Sequence, residues 1–176
     1  MKNGQIQLYM GHSKGKSTAA LGQLIRAYGR GLKCAIIYFD KGGFNYGERK
    51  VLKKLEIEHF VTGMNRMGKT DKDFRFGVIQ EDIDEANRGL SIIYDLFKQD
   101  YDLIVCDEIN STANLGMLKE EDVLNLLKSK PDTVELVLTG RDAPQSFIDI
   151  ATLVTEMKLH KHYYYDGVMA RIGIEY

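Results

Sequence analysis

The glycine-rich run Gly11-His12-Ser13-Lys14-Gly15-Lys16-Ser17 stands between a strand-like segment, Gln5 to Met10, and a helix-like one from about Ser17 to Tyr28 that ends at Gly29 and Gly31. A strand that turns directly into a helix through glycines forces the helix back along the sheet, so the rest of the chain must supply parallel neighbours. The same turn has chemical content. Backbone N–H groups converge at the helix start, Lys16 adds a point charge, and Ser17 adds a hydroxyl that can ligate Mg2+, the set a nucleotide triphosphate requires. In the general motif four residues separate the first glycine from Gly-Lys. Only His12, Ser13 and Lys14 stand there in this chain, so the loop is short.

The remaining pattern agrees with a parallel sheet. Lys33 to Phe39 reads as a second strand, Tyr46 to Leu55 as a short polar helix, and Ile57 to Val61 as a third strand. Thr62 to Asp73 has no period and is a lid candidate. Ile79, Ile83, Ala86, Leu90, Ile93 and Phe97 recur at helical spacing and predict one long amphipathic helix. Leu103 to Cys106 is an apolar strand, followed by a loop, a helix from about Glu120 to Leu127 and a strand from Val134 to Leu138; the tail continues the alternation to Tyr176. Asp107 and Glu108 follow the apolar strand, where a carboxylate reaches Mg2+ directly or through its water shell. The expected fold is an α/β, mostly parallel open sheet with helices on both faces, its ligand at the carboxyl ends of the strands after Met10, Phe39, Cys106 and Leu138.

Length and charge narrow the partners. The 176 residues fit one domain with its own core, and a net charge of -1 with pI near 6.4 argues against a nucleic-acid role. Cys34 and Cys106 lie far apart in apolar runs and read as reduced core residues. Met1 to Gln5 lead straight into structure, and the sequence holds no stretch apolar enough for a signal peptide or a membrane span, so a cytoplasmic location without membrane contact is expected.

With these residues in view, the chain resembles the P-loop ATP:corrinoid adenosyltransferases nearly end to end. The shortened loop Gly11-His12-Ser13-Lys14-Gly15-Lys16-Ser17-Thr18 is similar to that family's version. Arg26-Ala27-Tyr28-Gly29, Phe39-Asp40-Lys41-Gly42, Gly47-Glu48-Arg49, Asp107-Glu108-Ile109-Asn110, Thr139-Gly140-Arg141 and Gly173-Ile174-Glu175-Tyr176 follow in the family's order. The resemblance implies a P-loop NTPase-like (RecA-like) fold. It also implies transfer of the adenosyl group of ATP to Co(I) of a corrinoid with release of triphosphate. On that basis Lys16 and Glu108 are the catalytic candidates, and Ser17, Glu108 and Asp107 the Mg2+ candidates. Gly11 through Thr18 with Arg26, Lys41, Arg49 and Arg141 are expected at the ATP or corrinoid. A reductant protein and a homodimer are implied in the same way. Competing readings are a non-catalytic ATP sensor or corrinoid carrier, and a small-molecule kinase or NTPase.

The chain departs from the family at two places. Relatives carry a Phe and Trp pair just after the third strand, where this sequence reads Gly63-Met64-Asn65-Arg66, and Ile83 stands where a Trp is frequent. Met64 and Met67 as adaptable apolar contacts, or a ring from Phe44, Tyr46, Phe74 or Phe76, are the candidate substitutes. His160 and His162 would share one side of a strand but lack a third ligand nearby for a metal. Tyr163-Tyr164-Tyr165 would alternate across a strand and put a ring in the core, or else form a stacking wall. Lys69 to Arg75 mixes charge signs and reads as a solvated loop.

Overall fold

Cys34–Phe39 is apolar at every position and buried at every position, as a strand covered on both faces must be. This strand, β2, belongs to a six-stranded sheet in the computed structural model, which describes residues 3–43, 46–66 and 75–176. The elements are β1 Ile6–Met10, α1 Lys16–Tyr28, β2 Cys34–Phe39, α2 Gly47–Lys54, β3 Glu58–Thr62, α3 Gln80–Phe97 and β4 Leu103–Asp107, then α4 Ile109–Asn114, α5 Glu120–Lys128, β5 Glu135–Thr139, α6 Gln145–Ile150 and β6 Leu153–Glu156. The sheet order is β3-β2-β4-β5-β1-β6. Every pairing among the described residues is parallel, so the mostly parallel sheet expected is wholly parallel there.

Strand alternation divides the core. Ala35, Ile37 and Phe39 of β2, Ile104 and Cys106 of β4, and Leu136 and Leu138 of β5 pack with Ala86, Leu90 and Ile93 of α3 and Val123, Leu126 and Leu127 of α5. Ile36 and Tyr38, Leu103 and Val105, and Val137 face Ala20, Leu24 and Ala27 of α1 with Leu52 of α2. The apolar stripe of α3 is therefore core at Ala86, Leu90 and Ile93, while Ile83 and Phe97 are half-buried and Ile79, at the helix N-cap, is exposed; both cysteines are buried free thiols. Helices cover both faces of the sheet.

Strand ends fall within a residue of their expected places. The exceptions have physical causes. The segment after Glu108 is helical rather than a loop, because Glu108 takes a left-handed backbone (φ 65, ψ 13) and Thr112 Oγ1 donates to the Glu108 carbonyl at 2.8 Å. Residues 163–166 form a 3-10 turn closed by left-handed Gly167, not a strand. Tyr164 and Tyr165 are accordingly 61% and 76% exposed, and no ring of the trio enters the core. His160 and His162 do not share a strand face either, since neither lies in a strand. Most of the lid candidate and most of the Lys69 to Arg75 run lie outside the described residues.

Candidate functional site: a phosphate loop facing two carboxylates

The loop after β1 owes its shape to glycine. Gly11 has φ +113 and Gly15 φ +125, and a Cβ on Gly11 would stand 2.5 Å from the Met157 carbonyl oxygen just beyond β6. Only glycine accepts both the dihedral and that approach. Gly15 caps α1, and Ala19 N–H donates to its carbonyl at 2.7 Å, so the helix begins at Lys16. Lys16 is buried, and its ammonium donates to the carbonyls of Gly11 at 2.7 Å and Ser13 at 2.8 Å, bracing the loop from within. Burial lowers the Lys16 pKa, against the pull of Glu108.

Across from the loop stand the ends of β2, β4 and β5. The Asp107 side chain is fully buried, accepting from Thr139 Oγ1 at 2.6 Å on one oxygen and from the Lys41 ammonium at 2.5 Å on the other. The Thr139 hydroxyl also accepts from Glu108 N–H at 2.9 Å, so one side chain of β5 orients both acidic residues. Glu108 Oε2 accepts from Ser111 Oγ, which in turn accepts from Arg141 N–H. Lys41 donates to Ser17 Oγ at 2.7 Å and lies 3.6 Å from Glu108 Oε1. Burial opposes that charge, but Asp107 and Glu108 outweigh it and hold the Lys41 pKa above the ordinary value.

Between these walls lies a cavity of about 690 Å³, lined by residues 12–18 with Lys41, Glu108 and Arg141. The structure thus gathers the turns after β1, β2, β4 and β5 as expected. Four expected residues do not line the cavity: Gly11 and Asp107 are buried, and Arg26 and Arg49 lie elsewhere. Arg26 is exposed on α1, ten positions beyond Lys16 and so about 15 Å along the helix, touching Gln23. Arg49 sits beneath, between the Tyr38 and Tyr46 rings, and donates to the carbonyls of Lys41 and Gly43, so it shapes the loop that carries Lys41. His12 is exposed and faces Asp142 at 2.8 Å.

Two contributions have little local signal. One is Thr139, whose hydroxyl serves both carboxylate residues. The other is the segment 171–176: Lys14 of the loop donates to the Ile174 carbonyl at 2.6 Å and to Glu175 at 2.9 Å, and Glu175 also binds Tyr163 Oη and Arg171. Ile174, Glu175 and Tyr176 therefore form part of the cavity wall. Of the candidate substitutes for the aromatic pair, Tyr46 lines the cavity, Met64 is 36% exposed and Phe76 84% exposed; Phe44, Met67 and Phe74 lie outside the described residues. Arg66 at that place is buried, paired with Asp40 at 2.6 Å and Asp82 at 3.5 Å.

Among the described residues, no group of three or more His, Cys, Asp or Glu could hold a metal by itself, and no helix is long and apolar enough to cross a membrane.

The sequence model of the family described as ATP:corrinoid adenosyltransferase BtuR/CobO/CobP matches residues 2–176. The corrinoid adenosyltransferase of Pseudomonas aeruginosa is 32% identical over 178 residues, covering 99% of this chain and 85% of that one. The corrinoid adenosyltransferase of Escherichia coli K12 is 30% identical over 176 residues, covering 99% and 87%. Among solved structures, the flagellar accessory protein FlaH of Methanocaldococcus jannaschii superposes with a TM-score of 0.60 at 12% identity, over 92% of this chain and 74% of that one. At that identity the likeness concerns the fold, which is the P-loop NTPase-like α/β sheet.

Proposed function

Because the chain belongs to the ATP:corrinoid adenosyltransferase family, we propose that it transfers the 5'-deoxyadenosyl group of ATP to Co(I) of a corrinoid and releases triphosphate. The observation that carries this reading is the extent of the match: residues 2–176 include the phosphate loop and every strand end that faces it. In the reaction the cobalt electron pair forms the Co–C bond, the C5'–O bond breaks, and the bonding pair leaves on the triphosphate.

The amides of Gly11 through Thr18 and the Lys16 ammonium hold the triphosphate and meet the charge that grows on it as the C–O bond breaks. The bonds of Lys16 to Gly11 and Ser13 put its ammonium inside the loop, so this donor is in place before the reaction and needs little reorganisation. Ser17 Oγ, Asp107 and Glu108 fit a hard divalent cation, since their oxygens already converge on one ammonium. Bound there with ATP, Mg2+ would neutralise charge on the leaving group. Thr139 and Ser111 fix the two carboxylates. Arg141, exposed where it lines the cavity, is assigned to the substrate. Arg49 acts by holding the Lys41 loop. Positioning supplies the rest, because cobalt must approach C5' in line with the bond that breaks.

Family membership further supports a separate reductant protein, a homodimer and a cytoplasmic location, and we read residues 1–176 as one nucleotide-binding domain. Sedimentation tests the dimer; a protease-resistant fragment of half length would refute the single domain. The chemistry is tested by anaerobic incubation of chemically reduced cobalamin, MgATP and the protein. The expected result is a cobalt–carbon absorption spectrum with one triphosphate per corrinoid. Orthophosphate or ADP in place of triphosphate would sink the proposal.

A further inference from the structure

The Lys41 ammonium has an unusual set of neighbours: Ser17 Oγ at 2.7 Å, Asp107 Oδ2 at 2.5 Å and Glu108 Oε1 at 3.6 Å, with the lysine side chain only 16% exposed. These are the three oxygens assigned above to the divalent cation. We propose that Lys41 is a built-in placeholder for that cation: without nucleotide its ammonium holds the three oxygens together and keeps a free divalent ion from them, and it gives up the position only when the cation arrives with a triphosphate. The inference rests on the assignment of Ser17, Asp107 and Glu108 as ligands.

The backbone around Lys41 is built to present it there. Asp40 is held in the left-handed region (φ 50) while its carboxylate pairs with buried Arg66 at 2.6 Å. Arg49 donates to the Lys41 carbonyl and, at 2.7 Å, to that of Gly43. Below, a Cβ on Gly63 would fall 2.4 Å from Lys41 N, and one on Gly42 would fall 2.2 Å from the Met64 carbonyl oxygen. The main chain thus has little room to retreat, and exchange of the ammonium must be a swing of its four-carbon stem. An ammonium and a divalent ion cannot share these oxygens, because their charges repel at contact distance. A bound triphosphate changes the balance by giving the displaced ammonium anionic oxygens of its own, within reach of the Ser17 end of the loop. Lys16 cannot substitute as placeholder, since its ammonium is bonded to carbonyls of the loop.

The test uses Mn2+ as the probe, followed by its electron paramagnetic resonance signal in the full-length, nucleotide-free protein. Wild type and Lys41→Arg should bind Mn2+ weakly, and Lys41→Met should bind it at least about tenfold more tightly. No gain in Lys41→Met, folded as judged by its melt, overturns the proposal. Ser17→Ala and Glu108→Gln in the Lys41→Met background should each weaken Mn2+ binding. If neither does, the ligand assignment fails; if both weaken it but Lys41→Met alone gains nothing over wild type, only the placeholder fails. Should Lys41→Met not fold, wild type decides by acylation of the Lys41 amine. Mn2+ alone at micromolar concentration should leave its rate unchanged, and a rise would overturn the proposal.

Discussion

Thr139→Val removes one hydroxyl and very little volume, and the structure says what that hydroxyl does. Thr139 is fully buried at the end of β5, donating to Asp107 Oδ1 at 2.6 Å and accepting from Glu108 N–H at 2.9 Å. The first bond is to a carboxylate, a class worth about 1.5–3 kcal/mol, and losing the second leaves a part-buried amide without its acceptor, at about 1–3 kcal/mol. The two losses share one site and do not simply add, so a destabilisation of roughly 2–4 kcal/mol is expected. For a chain of this size that corresponds to a fall in Tm of roughly 4–16 °C. The assay is urea unfolding of the nucleotide-free protein, with Thr155→Val, an exposed threonine of β6, as the control expected within about 0.5 kcal/mol of wild type. A Thr139→Val variant inside that same window would refute the view that this hydroxyl carries the acidic pair.

Three further outcomes are expected. Lys16→Ala should lower kcat by about 10²–10³-fold, the usual loss of a preorganised electrostatic donor, and an unchanged rate at saturating ATP would remove Lys16 from the leaving-group site. Arg171, Tyr163 and Lys14 hold the Glu175 carboxyl well below the usual glutamate range, so its contribution to stability is complete above the unfolded value of about 4.3 and is lost only as pH falls through the depressed folded value. A carboxyl carbon titration by NMR checks this, and a midpoint near the ordinary value would mean that segment 171–176 does not rest on the loop. Burial pushes the Cys34 thiol up to about 11 and raises Cys106 as well, so thiol reagents at pH 8 should label neither until the protein unfolds; stoichiometric labelling of the native state would contradict the packing.

What could be read from the sequence was whatever repeats or clusters locally. β2, β4 and β5 are short apolar runs, α3 shows its stripe, and the loop from Gly11 to Ser17 carries its glycines and its lysine in one stretch. The rest depends on pairs far apart in the chain. Ile109–Asn114 has no apolar period, since two of its buried residues, Asn110 and Thr112, are polar, and only a left-handed Glu108 turns it into a helix. Tyr163 to Tyr165 look like a strand by composition, yet with no sheet neighbour they close into a 3-10 turn. Arg26 and Arg49 sit in family motifs and were expected at the substrate. One points to solvent and the other works beneath the Lys41 loop, distinctions set by helix phase and ring packing. Lys41 was expected at the substrate from its family motif, but its convergence with Ser17, Asp107 and Glu108 joins three strand ends and is set by the fold.

The place of β1 in the sheet also bears on how the protein is made. Its neighbours are β5, through Ile6 and Leu136, and β6, through Gln7 and Leu153, so among the described residues the strand that carries the phosphate loop pairs with strands more than a hundred residues further along. A ribosome that has made the first hundred residues has released the entire loop but no slot to seat it. The early-synthesised strand must wait, unpaired, until β5 emerges, and Gly11 meets Met157 only after β6 has followed. The loop from Gly11 to Ser17 is therefore translated well before it can take shape, and ATP can capture the nascent protein only after β5 and β6 have joined β1.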